Sequence, residues 1–371
     1  MAGEPDHIEG ADSLRPFFEK LARSKQDGSA VHVLHYGDSH TASDDWPDTM
    51  RQAFQQKFGN GGPGFALAGY PFRGYRRYDV RGSASPGWVT AGTIGHTGDQ
   101  QNGLGGLSVT ASRPGETLSF TTAGARTNLW FFRQPGGGSF SITDNDGALD
   151  VIDTDGPAGT GVYSLPPSPG EHVYRLRTSS RAPVRLFGWV SENPQGVSWE
   201  TMGINGQQAR TLLEWDQTIL KEQLQLRAPG LILLGYGTNE ALYPRWTRDV
   251  YKSQLLALIQ NLKQAAPGAA ILLVGPPECG RLHPFPYLQQ VVEVQSEVAK
   301  ETGTAFWNWA VHMRESGGRA EWVKAGLSQP DYTHLTVDGY RLLGKTLAEE
   351  LILEYRRRVS PELSAVRTSQ P

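Results

Sequence analysis

The chain has 371 residues, of which 20% are charged and 38% hydrophobic, a composition typical of folded globular proteins rather than disordered chains or membrane bundles. At roughly 150 residues per domain, this length predicts two domains. Its 35 basic and 38 acidic side chains give a net charge of −3, which argues against a nucleic-acid-binding surface. The single cysteine, Cys279, excludes an intramolecular disulfide framework and a cysteine-rich zinc site.

No apolar run approaches the ~20 residues of a membrane-spanning helix. The first residues contain neither the basic nor the apolar segment of a secretion signal. We therefore expect either a cytoplasmic protein or an exported one whose signal is missing from this sequence.

The first elements are predicted to be a strand, a turn and a helix. Residues 31–36 form a short apolar run broken by two histidines, and residues 37–40 form a turn. From about Asp45, apolar residues recur at helical spacing up to Phe58. The glycine-rich run 59–64 matches a nucleotide-binding spacing, but it follows a helix and contains Pro63, so we interpret it as a rim of the active-site cleft.

The next region has a different character, with 18 glycines between Gly82 and Gly170. Short runs of β-type residues are separated there by turn residues such as Asp146-Gly147 and Pro169-Gly170. The predicted strands are residues 107–110, 117–121, 128–132, 139–143, 172–176 and 184–190. This pattern predicts an all-β sandwich of the jelly-roll kind.

After about Trp199 helices and buried strands alternate. Predicted helices cover residues 207–226, 246–266, 285–302 and 336–357, and predicted strands cover 231–234, 270–274 and 305–308. Strands that are apolar on both faces are typical of a parallel sheet covered by helices. We predict an α/β domain of residues 14–74 and 196–360, an inserted β-domain of residues 75–195 and a flexible tail of residues 361–371.

Four short polar segments could carry chemistry, and most of them follow a predicted strand, where open α/β sheets place their ligand sites. They are Gly37-Asp38-Ser39-His40, Met202-Gly-Ile-Asn-Gly-Gln207, Gly235-Tyr-Gly-Thr-Asn239 and Asp331-Tyr-Thr-His334.

These segments contain the groups needed for acyl transfer to a serine. Ser39 is a candidate nucleophile, His334 a candidate base, and Asp331 could orient the imidazole. The Ser39 and Gly206 N–H groups and the Asn239 amide could bind an oxyanion. This chemistry requires no metal and no other cofactor.

The four segments resemble blocks I, II, III and V of the SGNH (GDSL-type) hydrolase superfamily, whose named residues would be Ser39, Gly206, Asn239 and His334. Gly203 also fits block II, but we prefer Gly206 because it directly precedes the predicted helix. The closer resemblance is to the peptidoglycan O-acetylesterase branch. It is carried by Leu14-Arg-Pro-Phe-Phe-Glu-Lys-Leu21, Tyr36-Gly-Asp-Ser-His-Thr41, Phe58-Gly-Asn-Gly-Gly-Pro-Gly-Phe65, Gly203-Ile-Asn-Gly-Gln207, Gly237-Thr-Asn-Glu240 and Asp331-Tyr-Thr-His-Leu-Thr336.

The resemblance implies a flavodoxin-like three-layer α/β/α sandwich and ester hydrolysis through an acyl-enzyme on Ser39. It also implies a carbohydrate-binding-type β-module at residues 75–195. We therefore expect an esterase that removes acetyl groups from an O-acetylated polysaccharide, in the periplasm or outside the cell. An O-acetyltransferase and a non-catalytic carbohydrate-binding protein are the alternatives.

Other residues have alternative interpretations. Asp38, His40 and Glu240 are candidates for binding the substrate, and we expect His40 and Glu240 to be part of the site wall. The acidic segments 144–147 and 153–156 suggest calcium, but each is better explained as a hairpin turn. Four tryptophans could stack on sugar rings, although core packing is the safer assumption for at least two of them: Trp88, Trp130, Trp189 and Trp199.

Overall fold

The computed structural model describes residues 7–280 and 283–367, with side chains described up to residue 359. Among these residues, no helix is both long and apolar enough to cross a membrane.

A mixed six-stranded sheet forms the centre of the α/β part. Its strands are β1 (Ile8–Glu9), β2 (Ala30–Gly37), β14 (Gly196–Gly203), β15 (Leu231–Gly235), β16 (Ala270–Val274) and β17 (Ala305–Trp307), in the order β1-β17-β16-β15-β2-β14. The last five strands are parallel, and β1 pairs antiparallel with β17. When the five parallel strands are numbered by their order in the chain, their order across the sheet is 2-1-3-4-5, the flavodoxin-like arrangement.

Helices cover both faces of this sheet. The α-helices are α1 (Arg15–Asp27), α2 (Ser39–Ala42), α3 (Asp45–Phe58), α4 (Gln217–Arg227), α5 (Thr238–Ala241), α6 (Arg248–Ala265), α7 (Leu288–Thr302), α8 (Trp309–Glu315), α9 (Gly318–Lys324) and α10 (Val337–Arg367). Short 3₁₀ helices span Ala11–Leu14 and Ala209–Leu213. One core unites α1, α3 and α10 with Val31 and Val33 of β2, and another unites α4, α6 and α7 with Leu34 and Tyr36.

Residues 64–192 form two antiparallel sheets. The first contains β4 (Arg81–Ala84), β7 (Thr117–Thr122), β9 (Ser139–Asp144), β10 (Gly147–Asp153) and β12 (His172–Thr178). The second contains β3 (Gly64–Leu67), β5 (Val89–Ala91), β6 (Ser108–Ala111), β8 (Arg126–Arg133), β11 (Gly159–Ser164) and β13 (Val184–Glu192).

A separate apolar core lies between these two sheets, with Phe120 and Trp189 stacked 5.0 Å apart inside it. The second sheet also packs on the α/β part, because Phe65, Trp130 and Phe187 belong to the core that contains α4 and α6. The β3 strand, which lies within the predicted 14–74 segment, pairs with β13. The domain boundaries stay a prediction.

The structure corrects several predicted elements. Strand β14 was not predicted, and the predicted helix 207–226 is a 3₁₀ turn followed by α4. Helix α10 continues to Arg367 and so includes residues 361–367 of the predicted flexible tail, whose last four residues lie outside the described range. The tryptophans considered for sugar stacking are all buried: Trp88, Trp130, Trp189 and Trp199.

The glycine-rich run 59–64 does not line the cleft that we predicted. Its Gly61 N–H donates to the Val197 carbonyl at 3.0 Å, near the beginning of β14. The catalytic candidates follow the other end of that sheet, beyond Gly203, six residues or roughly 20 Å further along the strand. The run therefore joins the end of α3 to the beginning of β14, at the opposite end of the strand from the catalytic candidates.

Candidate active site

Three glycines stand level at the carboxyl edge of the parallel sheet. Gly37 of β2 is in register with Gly203 of β14 on one side and with Gly235 of β15 on the other. The segments that follow these glycines carry Ser39, residues 204–207 and Asn239. In a 2-1-3-4-5 sheet, ligands bind beside the first strand, where the chain order reverses. The strand order thus brings three of the four polar segments to one place.

Ser39 is the first residue of the short helix α2. The backbone carbonyl of Asp38 accepts hydrogen bonds from the N–H groups of Thr41 and Ala42, and its side chain accepts from the His40 N–H at 2.9 Å. The N–H of Ser39 cannot reach a helical carbonyl, because the first N–H groups of a helix have no partner within it. Gly37 permits this tight turn, since a Cβ there would lie 2.1 Å from the Thr41 hydroxyl.

Ser39, His334 and Asp331 form one chain of hydrogen bonds. The Ser39 Oγ lies 3.0 Å from His334 Nε2, and His334 Nδ1 lies 2.7 Å from Asp331 Oδ2. Because the carboxylate accepts the Nδ1 proton, Nε2 is left free to accept from the serine hydroxyl. The three groups therefore have the geometry of a serine, base and orienting acid.

Asp331 also organises the loop in which it lies. Its Oδ1 accepts the backbone N–H groups of Thr333 and His334, each at 2.9 Å. Partial burial raises the pKa of Asp331, but the hydrogen bonds from His334 and from these amides outweigh it and hold the pKa below its ordinary value. The carboxylate consequently stays ionised and can stabilise a positively charged imidazole.

Asn239 lies beside the serine, with its amide already engaged. Its Nδ2 donates to Asp38 Oδ2 at 3.2 Å and to the Gln207 carbonyl at 3.0 Å. An amide nitrogen has two protons, so binding an oxyanion requires that one of these bonds be replaced. The longer bond, to Asp38, is the weaker of the two.

Gly203 and Gly206, the two glycines considered as oxyanion donors, have different surroundings. Gly203 ends β14, and a Cβ there would lie 2.3 Å from the Ala42 backbone nitrogen, so α2 packs directly on it. Gly206 has a φ of +74°, and its N–H donates to none of the described residues. The expectation that Gly206 directly precedes a helix is wrong, since the next helical residue is Ala209.

The three candidates for substrate binding, Asp38, His40 and Glu240, are all buried. Asp38 is 1% exposed and His40 is 2% exposed, and Glu240 is also buried. Burial is the main cause that raises the pKa of Asp38 to about 8, and burial likewise lowers the pKa of His40 to about 3. Near pH 7 the Asp38 carboxyl is therefore mostly protonated and the His40 imidazole is neutral.

Sequence reasoning missed several residues that position the site. The Tyr340 hydroxyl of α10 bonds to His40 Nδ1 at 2.8 Å. Gln207 supplies the carbonyl that holds Asn239, and the Gln329 N–H donates to the His334 carbonyl at 2.8 Å. The position of Gln207 directly after Gly206 was a usable signal, whereas nothing local marks Tyr340 or Gln329.

One described cluster has spacing that suits a metal ion. Ligand atoms of His7, His312 and Glu315 lie within 4.8 Å of one another. Of the two acidic segments considered for calcium, 144–147 forms the predicted hairpin turn. The prediction of a hairpin turn at 153–156 is wrong, because β10 pairs with β9 in the first sheet and β11 pairs with β8 in the second. Asn145 and Asp146 have positive φ angles in the β9–β10 hairpin, and the Asp144 carboxylate bonds to a histidine of β12.

A family model and a solved structure both relate the chain to acylhydrolases. The model of the GDSL-like Lipase/Acylhydrolase family matches residues 158–342, a range that contains Asn239, Asp331 and His334 but not Ser39. A solved peptidoglycan O-acetylesterase is 26% identical, with a TM-score of 0.80, and the match covers 95% of this chain and 99% of that one. A search of curated proteins gave no match.

Two further solved structures are less similar. A lipase/acylhydrolase from Enterococcus faecalis is 20% identical, with 42% of this chain and 76% of that chain covered and a TM-score of 0.35. A family two carbohydrate esterase from Cellvibrio japonicus is 14% identical, with 74% and 98% covered and a TM-score of 0.31. Likenesses of this size carry no structural argument.

The strand order, the covered parallel sheet and the peptidoglycan O-acetylesterase structure agree on the fold. This chain carries a GDSL-like lipase/acylhydrolase domain in the SGNH hydrolase fold, and the protein is a carboxylic ester hydrolase.

Proposed function

We propose that this esterase removes acetyl or other small acyl groups from an O-acetylated carbohydrate through an acyl-enzyme on Ser39. The observation that carries the proposal is the unbroken contact of Ser39 with His334 and of His334 with Asp331. The similarity to a peptidoglycan O-acetylesterase over 95% of the chain supports a cell-wall or other polysaccharide as the substrate.

The first step forms the acyl-enzyme. Ser39 Oγ attacks the ester carbonyl while His334 Nε2 takes its proton, and Asp331 stabilises the imidazolium that results. The tetrahedral oxyanion accepts hydrogen bonds from the Ser39 and Gly206 N–H groups and from the Asn239 amide. His334 then gives its proton to the departing sugar hydroxyl as the carbonyl–oxygen bond breaks.

The second step releases the acyl group. A water molecule attacks the acyl-serine, His334 takes the proton from this water, and Ser39 leaves as a hydroxyl once His334 returns that proton. The products are the carboxylic acid and free enzyme. The chemistry needs no group beyond the side chains and amides already named.

Transfer of the acyl group to a second sugar is the alternative outcome of the same intermediate. It requires that water be kept away from the acyl-serine. The side chains of His334 and Asp331 are 37% and 46% exposed, so water reaches this side of the site. This exposure favours hydrolysis over transfer.

We propose that the two antiparallel sheets help to hold the polysaccharide. An open groove of about 730 Å³ runs over the first sheet and is lined by hydroxyl and arginine side chains, including Ser119, Arg175 and Arg177. Hydroxyl and guanidinium groups can form hydrogen bonds and ion pairs with a polar, acidic glycan. They therefore suit such a glycan better than a surface of aromatic rings would. A wall polysaccharide as substrate implies a periplasmic or secreted enzyme.

The decisive experiment is acetate release from a panel of O-acetylated polysaccharides that includes peptidoglycan and xylan. The wild-type protein should release acetate from at least one of them, and Ser39→Ala should release none. Ser13→Ala is a matched control, because this hydroxyl bonds to the Gly10 carbonyl at 2.8 Å and lies outside the site.

Undiminished release by Ser39→Ala would refute the mechanism. Acetyl transfer to a glycan acceptor without acetate release would favour the transferase. Glycan binding with no turnover of any ester would instead favour a non-catalytic carbohydrate-binding protein.

A further inference from the structure

Two histidines and a glutamate from distant parts of the chain meet at the edge of the central sheet. His7 directly precedes the edge strand β1, whereas His312 and Glu315 lie on α8. One ligand atom from each of the three residues lies within 4.8 Å of the other two. Residues three apart face the same side of a helix, so His312 and Glu315 can bind one ion together. None of the three residues belongs to the acyl-transfer machinery described above.

The His312 ring is held by its surroundings. It stacks on Trp307 of β17, with the ring centroids 4.5 Å apart, and the centroid of the His7 ring lies 4.9 Å away. Glu350 of α10 has one carboxylate oxygen 3.5 Å from His312 Nε2, and its other oxygen accepts the Trp307 Nε1–H at 2.6 Å. A histidine that binds a metal ion almost always has a carboxylate, a carbonyl or water beside its ring to fix its orientation. Glu350 is placed to be that carboxylate.

The donor atoms select the class of ion. Two imidazole nitrogens and a carboxylate oxygen are typical ligands of Zn²⁺, whereas Ca²⁺ and Mg²⁺ prefer oxygen ligands alone. With metal–ligand bonds of ~2.0–2.2 Å, the ligand atoms of a tetrahedral zinc site lie roughly 3.4 Å apart. None of the three side chains is buried, so small rotations can close the remaining distance.

We propose that His7, His312 and Glu315 bind Zn²⁺, with Glu350 orienting His312 and water as the fourth ligand. The role of the ion is structural, because the proposed acyl transfer needs no metal. Strand β1 pairs with β17 through only two residues, so the sheet itself holds this edge weakly. An ion bound from both sides would fasten the edge strand to α8, and an ion that binds only the folded state stabilises that state.

Zinc titration of the full chain tests this site. The protein, without an affinity tag, is treated with EDTA, desalted and titrated with ZnCl₂ in a calorimeter. The wild type should bind one Zn²⁺ per chain. In excess zinc its thermal unfolding midpoint should rise by about 2–5 °C, because the ion binds the folded state. MgCl₂ should produce neither effect, since the donor set is rich in nitrogen.

Two variants identify the ligands. His7→Ala and Glu315→Gln each remove one ligand, and each should weaken zinc binding at least tenfold, since even the loss of an outer partner of a metal ligand has effects of this size. His96→Ala is the matched control, because His96 is an exposed histidine between β5 and β6. Its zinc affinity and its midpoint shift should equal those of the wild type. Circular dichroism on all three variants would establish that each is folded.

Absence of zinc binding by the wild type would overturn the inference. Equal zinc affinity of the wild type, His7→Ala and Glu315→Gln would also overturn it and would show an adventitious ion only. A midpoint that rises as much in His7→Ala as in the wild type would contradict the structural role. These measurements involve no ester, so their outcome is independent of the proposed function.

Discussion

Asp38 and Asn239 are joined by a hydrogen bond of 3.2 Å between Oδ2 and Nδ2. The bond links the turn that carries the candidate nucleophile to the turn after β15, two segments separated by 201 positions along the chain. The other carboxyl oxygen of Asp38 receives the His40 N–H. One buried carboxyl group therefore fixes both the start of α2 and the amide that we assign to the oxyanion.

The burial of Asp38 predicts a pH dependence of stability. Its pKa is about 8 in the folded protein, against an ordinary value of 3.8. Between these two values the folded state keeps a proton that the unfolded chain has lost, so the free energy of unfolding contributed by Asp38 falls as pH rises from about 4 to about 8. Denaturant unfolding of the wild type and Asp38→Asn across this range measures the effect, because other groups titrate alike in both proteins. The wild type should lose stability relative to the variant as pH rises; a constant difference, or one of opposite sign, would contradict the assignment.

Asp331→Asn should separate the orienting role of this residue from its role in the loop. The Asn Oδ1 can still accept the Thr333 and His334 amides, while its Nδ2 cannot accept the His334 Nδ1 proton. With the imidazole in the wrong tautomer, kcat for p-nitrophenyl acetate should fall by about 10⁴-fold. A loss below tenfold would mean that Asp331 does not orient the base.

Gly203→Ala should impair the enzyme by displacing α2. The added methyl group would meet the Ala42 backbone nitrogen at 2.3 Å and the Thr41 backbone carbon at 2.6 Å, neither of which can move without moving Ser39. We expect kcat for p-nitrophenyl acetate to fall about 10- to 100-fold, since small displacements of catalytic groups have effects of this size. Gly268→Ala is the control, because its new methyl group meets only the flexible end of Lys20 at 3.3 Å and activity should be retained. Equal activity of the two variants would refute the packing argument.

Glu200→Ala should destabilise the fold strongly. Glu200 is fully buried in β14, and its carboxylate accepts the Arg227 Nε–H at 2.8 and 3.0 Å. Burial alone raises the pKa of Glu200, but the Arg227 guanidinium outweighs it and holds the pKa below its ordinary value. Without Glu200, the buried Arg227 guanidinium keeps only the partly exposed Glu192 carboxylate as an ion-pair partner. Removing one member of a buried pair costs about 3–5 kcal/mol.

Denaturant unfolding measures the cost of Glu200→Ala. The surface pair Glu321–Lys324 provides the control, because both side chains are largely exposed and Glu321→Ala should not change the unfolding free energy measurably. A Glu200→Ala effect as small as that of the control would contradict the expectation.

The buried pair of Glu200 and Arg227 explains why β14 was not predicted from the sequence. Apolar strands such as β16 are evident in the sequence, and Ala270–Val274 coincides with the predicted 270–274. Strand β14 is equally buried, but it contains Ser198 and Glu200, which suggest an exposed segment. Their partner Arg227 comes from α4, so the compensation exists only in the folded structure.

Part of the candidate site could likewise be predicted from the sequence, and part could not. Ser39, Asn239 and His334 could be placed together from sequence, because they follow strands or precede a helix and because the carboxyl ends of parallel strands share an edge. The bond between Tyr340 and His40 could not be predicted, since nothing in the sequence around Tyr340 of α10 marks it as part of the site. The choice between Gly203 and Gly206 stays a prediction, and the predicted helix on which it was based begins later than expected.

The central claim is that Ser39 becomes acylated during turnover, and mass spectrometry of the acid-quenched enzyme tests it most directly. Protein mixed with p-nitrophenyl acetate and quenched within one turnover should carry one acetyl group on the peptide that contains Ser39. The same peptide from Ser39→Ala should carry none. An acetyl group on another residue, or full turnover with no acetylated peptide, would contradict the account.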